Sequence, residues 1–421
     1  MGIDVLFSGR QLTVNSEGIT PASVLQPAPG TSPVVLQVLP ALVTGGVERG
    51  TIDMALALVD AGWRAVVVSQ GGPMTRDLDR AGVPHVTLPV ATKNPARLAL
   101  NARRLARVIK EHEVSLVHAR SRAPAWSALR AARAAGLPFI TTFHGTYTLG
   151  PFDIKKEYNR IMTQGDRVIA ISHFIADHVR AVYGVEDARL RVIPRGIDTQ
   201  VFDPERVSAE RMIRLAQRWR LPDGLPVVML PGRLTRWKGQ SVLIEALARL
   251  GNPNVRCLLV GSDQGRDGYR AALENQAQAL GVADQVHLVD ECDDMAAAYM
   301  VTDVVVSAST DPEAFGRVVA EAQAMGRPVI APAHGAAPEI LEPGPARWLV
   351  PPGDPAALAE ALAQALAMDP TARRQGAALA QAQARQLFSK TLMTERTLAV
   401  YREVLLGEPP RPDLAPRPLG A

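Results

Sequence analysis

Glu313 and Glu321 lie eight positions apart, on either side of the turn Ala314-Phe315-Gly316-Arg317-Val318. An apolar run, 303–307, precedes this stretch and an amphipathic helical pattern, 317–325, follows it, so one acid sits on a loop and the other about a turn into a helix. The amides after Phe315 are first-turn donors without intrahelical acceptors and form a seat for an anion, with acids beside it that accept from hydroxyls. That pairing suits a phosphorylated sugar. Either carboxylate could equally be a solvated surface acid.

Three more clusters follow apolar runs. Thr44-Gly45-Gly46-Val47-Glu48-Arg49 opens a helix after 34–38, where Gly45 and Gly46 let backbone approach a ligand. Its bland alternative is an ordinary strand-to-helix turn. Pro231-Gly232-Arg233-Leu234-Thr235-Arg236-Trp237-Lys238-Gly239 follows 227–231, and Arg233 and Lys238 there offer a planar fork and a point charge to phosphate oxygens. A solvated cationic turn is the competing reading. His144, in Thr141-Thr142-Phe143-His144-Gly145, would face a cleft and reach a sugar hydroxyl or developing charge, unless it is a structural histidine.

These clusters need a scaffold that brings strand ends together. Apolar runs alternate with helical periods from Val34 onward, which specifies an α/β chain of right-handed βαβ units on parallel sheets. At 421 residues the chain exceeds one core and divides into two doubly wound domains. The expected boundaries are a flexible leader at 1–31, a first domain at 32–205, a second at 206–388, a helix at 389–406 and a flexible tail at 407–421. Strands are expected at 34–38, 65–69, 115–118, 138–142, 167–171, 227–231, 255–260, 285–289, 303–307, 328–331 and 347–350. Such domains place their ligand sites facing each other across a cleft.

Together, Gly45-Gly46-Val47-Glu48-Arg49, Phe143-His144-Gly145, Val168-Ile169-Ala170-Ile171-Ser172, Ile193-Pro194-Arg195-Gly196-Ile197-Asp198, Gly232-Arg233 with Lys238-Gly239, and Glu313-Ala314-Phe315-Gly316 with Glu321-Ala322 resemble the GT4-type retaining glycosyltransferases of the GT-B fold. The motifs run in family order from about residue 34 to 405. The resemblance implies two Rossmann-like domains facing across a cleft, with the last helix crossing back to the first. It implies a UDP- or GDP-linked sugar donor bound by Gly45, Gly46, Arg233, Lys238, Glu313, Ala314, Phe315, Gly316, Arg317, Val318 and Glu321. In that pattern Arg233 and Lys238 hold the diphosphate, Glu313 meets the sugar, Glu321 the ribose, and His144 lies near the sugar; His144, Arg233, Lys238 and Glu313 are the implied catalytic set. No metal or cofactor is expected. Two stretches depart from the family: His334-Gly335-Ala336-Ala337-Pro338-Glu339 replaces a Gly-Gly turn, and Asp290-Glu291-Cys292-Asp293-Asp294 is unusually acidic near the expected base.

The acceptor is less legible. Between Lys93 and Arg133 ten basic residues face only Glu111 and Glu113, and Arg103, Arg107 and Lys110 form a cationic face opposite Leu98, Leu105 and Ile109. That face is either solvated or meets an anionic acceptor, a lipid-linked or lipopolysaccharide-type glycan, or an anionic membrane surface. Nucleic acid fits poorly because the block carries a single aromatic, Trp126, and no interleaved series. Two cysteines, no signal-like run and no spanning stretch point to the cytoplasm, at most at the inner face of its membrane. The competing functions are a sugar-nucleotide epimerase of the same architecture and a non-catalytic nucleotide-sugar binder.

Overall fold

The computed structural model describes residues 32–418 except 44, 264, 266, 291, 342 and 343; the expected leader, Thr44, Glu291 and the last three tail residues lie outside the described residues. Seven parallel strands form the first sheet: β1 (Val34–Val38), β2 (Arg64–Ser69), β3 (His85–Thr87), β4 (Leu116–Ala119), β5 (Phe139–Phe143), β6 (Arg167–Ala170) and β7 (Leu190–Val192), in the order β3-β2-β1-β4-β5-β6-β7. Six form the second: β8 (Val227–Pro231), β9 (Arg256–Val260), β10 (Val286–Val289), β11 (Val304–Val306), β12 (Val329–Pro332) and β13 (Arg347–Val350), in the order β10-β9-β8-β11-β12-β13. Buried Val, Ile and Leu dominate these strands because helices cover both faces of each sheet.

The first sheet is flanked by α1 (Gly46–Asp60), α2 (Thr75–Arg80), α3 (Pro95–Glu111), α4 (Arg122–Ala134), α5 (Ile154–Asn159) and α6 (His173–Tyr183). The second carries α7 (Ala209–Arg218), α8 (Gln240–Leu250), α9 (Asp267–Ala279), α10 (Met295–Met300), α11 (Arg317–Ala324), α12 (Ala337–Ile340), α13 (Pro355–Leu366) and α14 (Pro370–Leu387), followed by α15 (Lys390–Leu406). On α3, Leu105 and Ile109 are buried while Arg103, Arg107 and Lys110 are exposed, as the pattern required. The elements absent from the sequence reading are short: β3, β7, α2, α5 and α12 offer too few residues for periodicity to register.

Strand order reverses between β1 and β4 in one sheet and between β8 and β11 in the other. At such a switch point the loops diverge and open a crevice beyond the strands' carboxyl ends. The Gly45-Gly46 turn and Arg120 leave β1 and β4; the Lys238 turn and the Glu313 loop leave β8 and β11. Chain topology therefore gathers the singled-out motifs.

α15 returns to the first domain and is locked there by polar contacts. The Tyr401 hydroxyl and His118 Nδ1 are 2.7 Å apart in a fully buried pair, while His118 Nε2 meets Thr142 Oγ1 at 2.7 Å. Glu403 accepts from Arg167 at 2.6 Å and from Arg191 Nε at 2.9 Å. At the crossing, Ile197 donates to the Phe388 carbonyl and Lys390 to the Ile197 carbonyl, both at 2.8 Å, so the two connections run side by side.

The tail corrects one expectation. Residues 407–418 were expected to be unstructured, yet Leu414 is buried, Asp413 accepts from Arg396 at 3.2 Å, and the Arg417 carbonyl accepts from Arg180 at 2.8 Å. Proline-rich composition hides these anchors because each partner is remote in sequence. Among the described residues no helix is long and apolar enough to cross a membrane.

Candidate active site

The second domain supplies one wall. After β8 the chain turns at Gly239, whose φ is +73° and where a Cβ would lie 1.8 Å from the Ala308 carbonyl oxygen. Only glycine permits that approach, which brings the Lys238 turn against the end of β11. Lys238 Nζ donates to Glu313 Oε1 at 2.8 Å and lies 4.5 Å from the Trp237 ring centroid. The Ser309 hydroxyl donates to the same carboxylate oxygen at 2.5 Å. Arg233 is exposed and its guanidinium makes no ion pair among the described residues, while its carbonyl is held by Gln240 at 3.0 Å. Lys238 and Glu313 thus form a poised pair, with Arg233 left free for an incoming anion.

The loop that carries Glu313 is braced on both sides. Ser172, from the first domain, donates to the Ala314 carbonyl at 2.7 Å. Phe315 is buried edge-on to Phe388 with centroids 5.7 Å apart, so its side chain anchors the loop and leaves ligand contact to its amide. Gly316 caps α11, and the amides of Arg317 and Val318 have no intrahelical acceptor. The departure at 334–339 has a structural role: His334 Nε2 meets the Ser309 carbonyl at 2.9 Å and the Ala336 amide donates to the Glu313 carbonyl at 2.9 Å. It buttresses the backbone of the loop that carries Glu313.

Glu321 is buried, and both oxygens are engaged: Arg317 donates to one and the Tyr299 hydroxyl to the other, each at 2.9 Å. Burial raises its pKa against the opposing pull of Arg317, and burial together with Glu321 pushes the Tyr299 phenol well above its ordinary range. The carboxylate is rigidly aimed. Tyr299 is invisible to motif reading because it comes from α10.

The first domain supplies the other wall. Gly46 begins α1, and a Cβ there would lie 2.7 Å from Arg195 Nη1 and 3.6 Å from Arg317 Cδ. Gly46 therefore admits the Arg195 guanidinium and the Arg317 side chain to the N-terminus of α1, whose dipole favours anions, while a Cβ at Gly45 would lie 2.4 Å from the Glu48 carboxylate. Arg195 Nη2 donates to His144 Nδ1 at 2.9 Å. Burial and the neighbouring Arg120 and Arg317 push the Arg195 guanidinium down to about 9. Burial, followed by the charge of Arg195, holds His144 well below its ordinary value.

Because Nδ1 accepts, the ring is neutral and its proton sits on Nε2, a buried donor without a partner. Arg120 is buried as well; its Nη1 donates to Gln37 Oε1 at 3.0 Å and its Nε has no partner. Arg195 was visible within a motif without a role, and Arg120 was one basic residue among ten; long-range packing brings both to the site.

The three aspartates of the acidic stretch are each paired with an arginine. Arg270 takes Asp290, Arg218 takes Asp293 at 3.2 Å, and Arg211 takes Asp294 at 2.6 Å. The basic block also gains aromatic neighbours unseen in sequence: Arg122 lies 4.0 Å from the Tyr147 centroid and Lys93 Nζ 5.6 Å from that of Tyr158.

Residues 44–201 match the family described as Glycosyltransferase Family 4, and 213–381 match Glycosyl transferases group 1. A glycosyltransferase structure from Rickettsia africae superposes with a TM-score of 0.84 at 34% identity, over 90% of this chain and 100% of that one. Anabaena HepE in complex with UDP-glucose superposes with a TM-score of 0.76 at 26% identity, over 88% and 99% of the chains. The D-inositol 3-phosphate glycosyltransferase of Xylanimonas cellulosilytica is 33% identical over 248 residues, which is 55% of this chain and 59% of that relative's length. The chain belongs to the GT4-type glycosyltransferases and has their GT-B fold.

Proposed function

We propose that this enzyme transfers a sugar from a UDP-linked donor to a hydroxyl of an anionic acceptor, with retention of anomeric configuration. The observation that carries the reading is the Lys238–Glu313 pair, together with the approach of Arg195 and Arg317 to Gly46. One acid positioned for sugar hydroxyls and several cations positioned for a departing diphosphate are what such a transfer needs.

In this reading Arg233, Lys238, Arg195 and the amides of Phe315 to Val318 hold the diphosphate, with no metal assigned. Glu313 accepts from the donor sugar's hydroxyls, Glu321 from the ribose, and His144 donates through Nε2–H to the sugar. The acceptor oxygen bonds to the anomeric carbon on the face the diphosphate leaves, and its proton passes to a phosphate oxygen. Cleft closure excludes water, so transfer outcompetes hydrolysis.

UDP is preferred to GDP because the Anabaena neighbour was solved with UDP-glucose. The acceptor favoured is a phosphorylated polyol, since a relative's name specifies D-inositol 3-phosphate. A lipid-linked or lipopolysaccharide-type envelope glycan, reached from the cytoplasmic side of an anionic membrane, is the second reading; the exposed face of Arg103, Arg107 and Lys110 favours it.

The test is turnover of UDP-glucose, UDP-N-acetylglucosamine and GDP-mannose, each with and without D-myo-inositol 3-phosphate. Lys238→Ala and Glu313→Ala should each lower transfer by about 10²- to 10³-fold, the range for loss of one preorganised charge contact. Wild-type rates in both folded variants, or an epimer formed from donor alone, would sink the proposal.

A further inference from the structure

We infer that Ser309 and His334 are positioning residues for the donor sugar: together they reserve one oxygen of Glu313, Oε2, for its hydroxyls, so that the site selects a hexose through one hydroxyl position. This rests on the glycosyl-transfer reading and names how its acid discriminates between sugars.

The first argument is the division of labour within the carboxylate. Oε1 accepts from Lys238 Nζ at 2.8 Å and from the Ser309 hydroxyl at 2.5 Å. An ionised carboxylate oxygen offers two lone-pair directions, so Oε1 is saturated. Oε2 has no donor among the described residues, while the side chain keeps 17% of its surface exposed. One oxygen is committed to the protein and the other is open to a ligand. Both contacts to Oε1 are charge-assisted, hence short and directional, and they hold the carboxylate at one rotation.

The second argument is how the hydroxyl is held. Ser309 is fully buried just past the end of β11. A buried hydroxyl beside a charged acceptor keeps that partner. The next amide, of Thr310, donates to the Trp237 carbonyl at 2.8 Å, which ties the stretch to the turn that carries Lys238. The two donors to Oε1 are therefore joined through backbone.

The third is the loop after β12. His334 Nε2 lies 2.9 Å from the Ser309 carbonyl, which can only accept, so Nε2 carries the proton. Gly335 has φ +62°, and a Cβ there would lie 2.7 Å from the Glu313 carbonyl oxygen and 2.8 Å from its amide nitrogen. Glycine permits that approach, and the Ala336 amide donates to the same carbonyl at 2.9 Å. His334 thus pins the backbone at Ser309 while Gly335 and Ala336 pin it at Glu313. With both ends of this short span fixed, the hydroxyl stays aligned on Oε1.

A carboxylate with both oxygens free accepts from neighbouring ring hydroxyls and divides its discrimination between them. With Oε2 alone available, discrimination concentrates on one position.

The test is calorimetric titration of the whole protein with UDP, UDP-glucose and the set of monodeoxy analogues of UDP-glucose, which needs no acceptor. UDP-glucose should bind more tightly than UDP, and removal of one hydroxyl alone should cost about tenfold or more, the range for a hydrogen bond to a charged group. Ser309→Ala and His334→Ala should each cut that penalty by about threefold or more and move part of it to a neighbouring position, with UDP affinity kept. His334→Gln retains a side-chain N–H for the Ser309 carbonyl and should restore the wild-type profile.

Equal binding of UDP and UDP-glucose, equal penalties at two or more positions in the wild type, or a profile untouched in both Ala variants overturns the inference. A loss of UDP affinity common to Ser309→Ala, His334→Ala and His334→Gln overturns it as well, because it marks a structural role alone. If UDP itself does not bind wild-type protein, the donor reading fails instead.

Discussion

Arg195 Nη2 donates to His144 Nδ1 at 2.9 Å, joining the connection between the domains to the loop after β5. A permanent donor on Nδ1 forces the neutral imidazole to carry its proton on Nε2. His144 is thereby a hydrogen-bond donor that does not titrate near neutral pH. Arg195→Ala should lower kcat by about 10²-fold and move the His144 titration upward from its burial-depressed position, adding a pH dependence at the acid end that the wild type lacks. The check is a kcat–pH profile of both proteins from pH 5 to 8; identical profile shapes would remove the positioning role.

Tyr299 and Glu321 form a buried pair whose hydroxyl has no other assigned purpose. Tyr299→Phe should cost about 2 kcal/mol, the range for a hydrogen bond to a charged group, because it leaves a buried carboxylate oxygen short of a donor. Urea denaturation measures this loss. Donor KM should rise in the same variant, since Glu321 loses one of the two contacts that aim it.

Glu339 reaches across the cleft and accepts from the amides of His173 at 2.8 Å and Phe174 at 2.5 Å. It acts as an N-terminal partner for α6 supplied by the other domain, while Ser172 caps the same helix internally. Glu339→Ala should cost about 1 kcal/mol and shift the domains toward a more open arrangement. Small-angle scattering with and without UDP reads the opening, and an unchanged radius in both states would contradict it.

Acid should destabilise the fold before it touches the carboxylates. Burial lowers His85, His118, His144, His178 and His287, and takes His173 down to about 4. The folded chain keeps these rings neutral while the unfolded chain binds protons below about 6.5, so stability is lost as pH falls through that value. For the fully buried His118 and His144 the slope approaches about 1.4 kcal/mol per pH unit once the unfolded form is charged, and the part-exposed rings contribute less. Buried Glu321 and the part-buried Asp53 and Glu339 have raised values and act with the opposite sign, adding stability as pH falls from their raised folded values through the ordinary carboxylate range. Melting temperatures at pH 7, 6 and 5 should fall in sequence, and His173→Gln should flatten the trend.

Local pattern determined much of this molecule. The bounds of β1, β8 and β13 coincide with the apolar runs expected for them, because strand repeats are written residue by residue. Gly46, Lys238, Glu313 and Glu321 were legible because each follows a parallel strand, where this class of fold binds ligands. The Lys93–Arg133 block was legible as charge, and of its residues only Arg103, Arg107 and Lys110 were read as a face.

Tertiary structure decided what those residues touch. It divided the basic block into a buried Arg120 beside Gln37, an Arg122 laid on Tyr147 and an exposed face on α3. It paired Arg195 with His144 across 51 positions and His118 with Tyr401 across 283. It also tied down the proline-rich tail through Leu414 and Arg417. Such contacts depend on strand order and on the return of α15, and neither leaves a periodic trace in the chain.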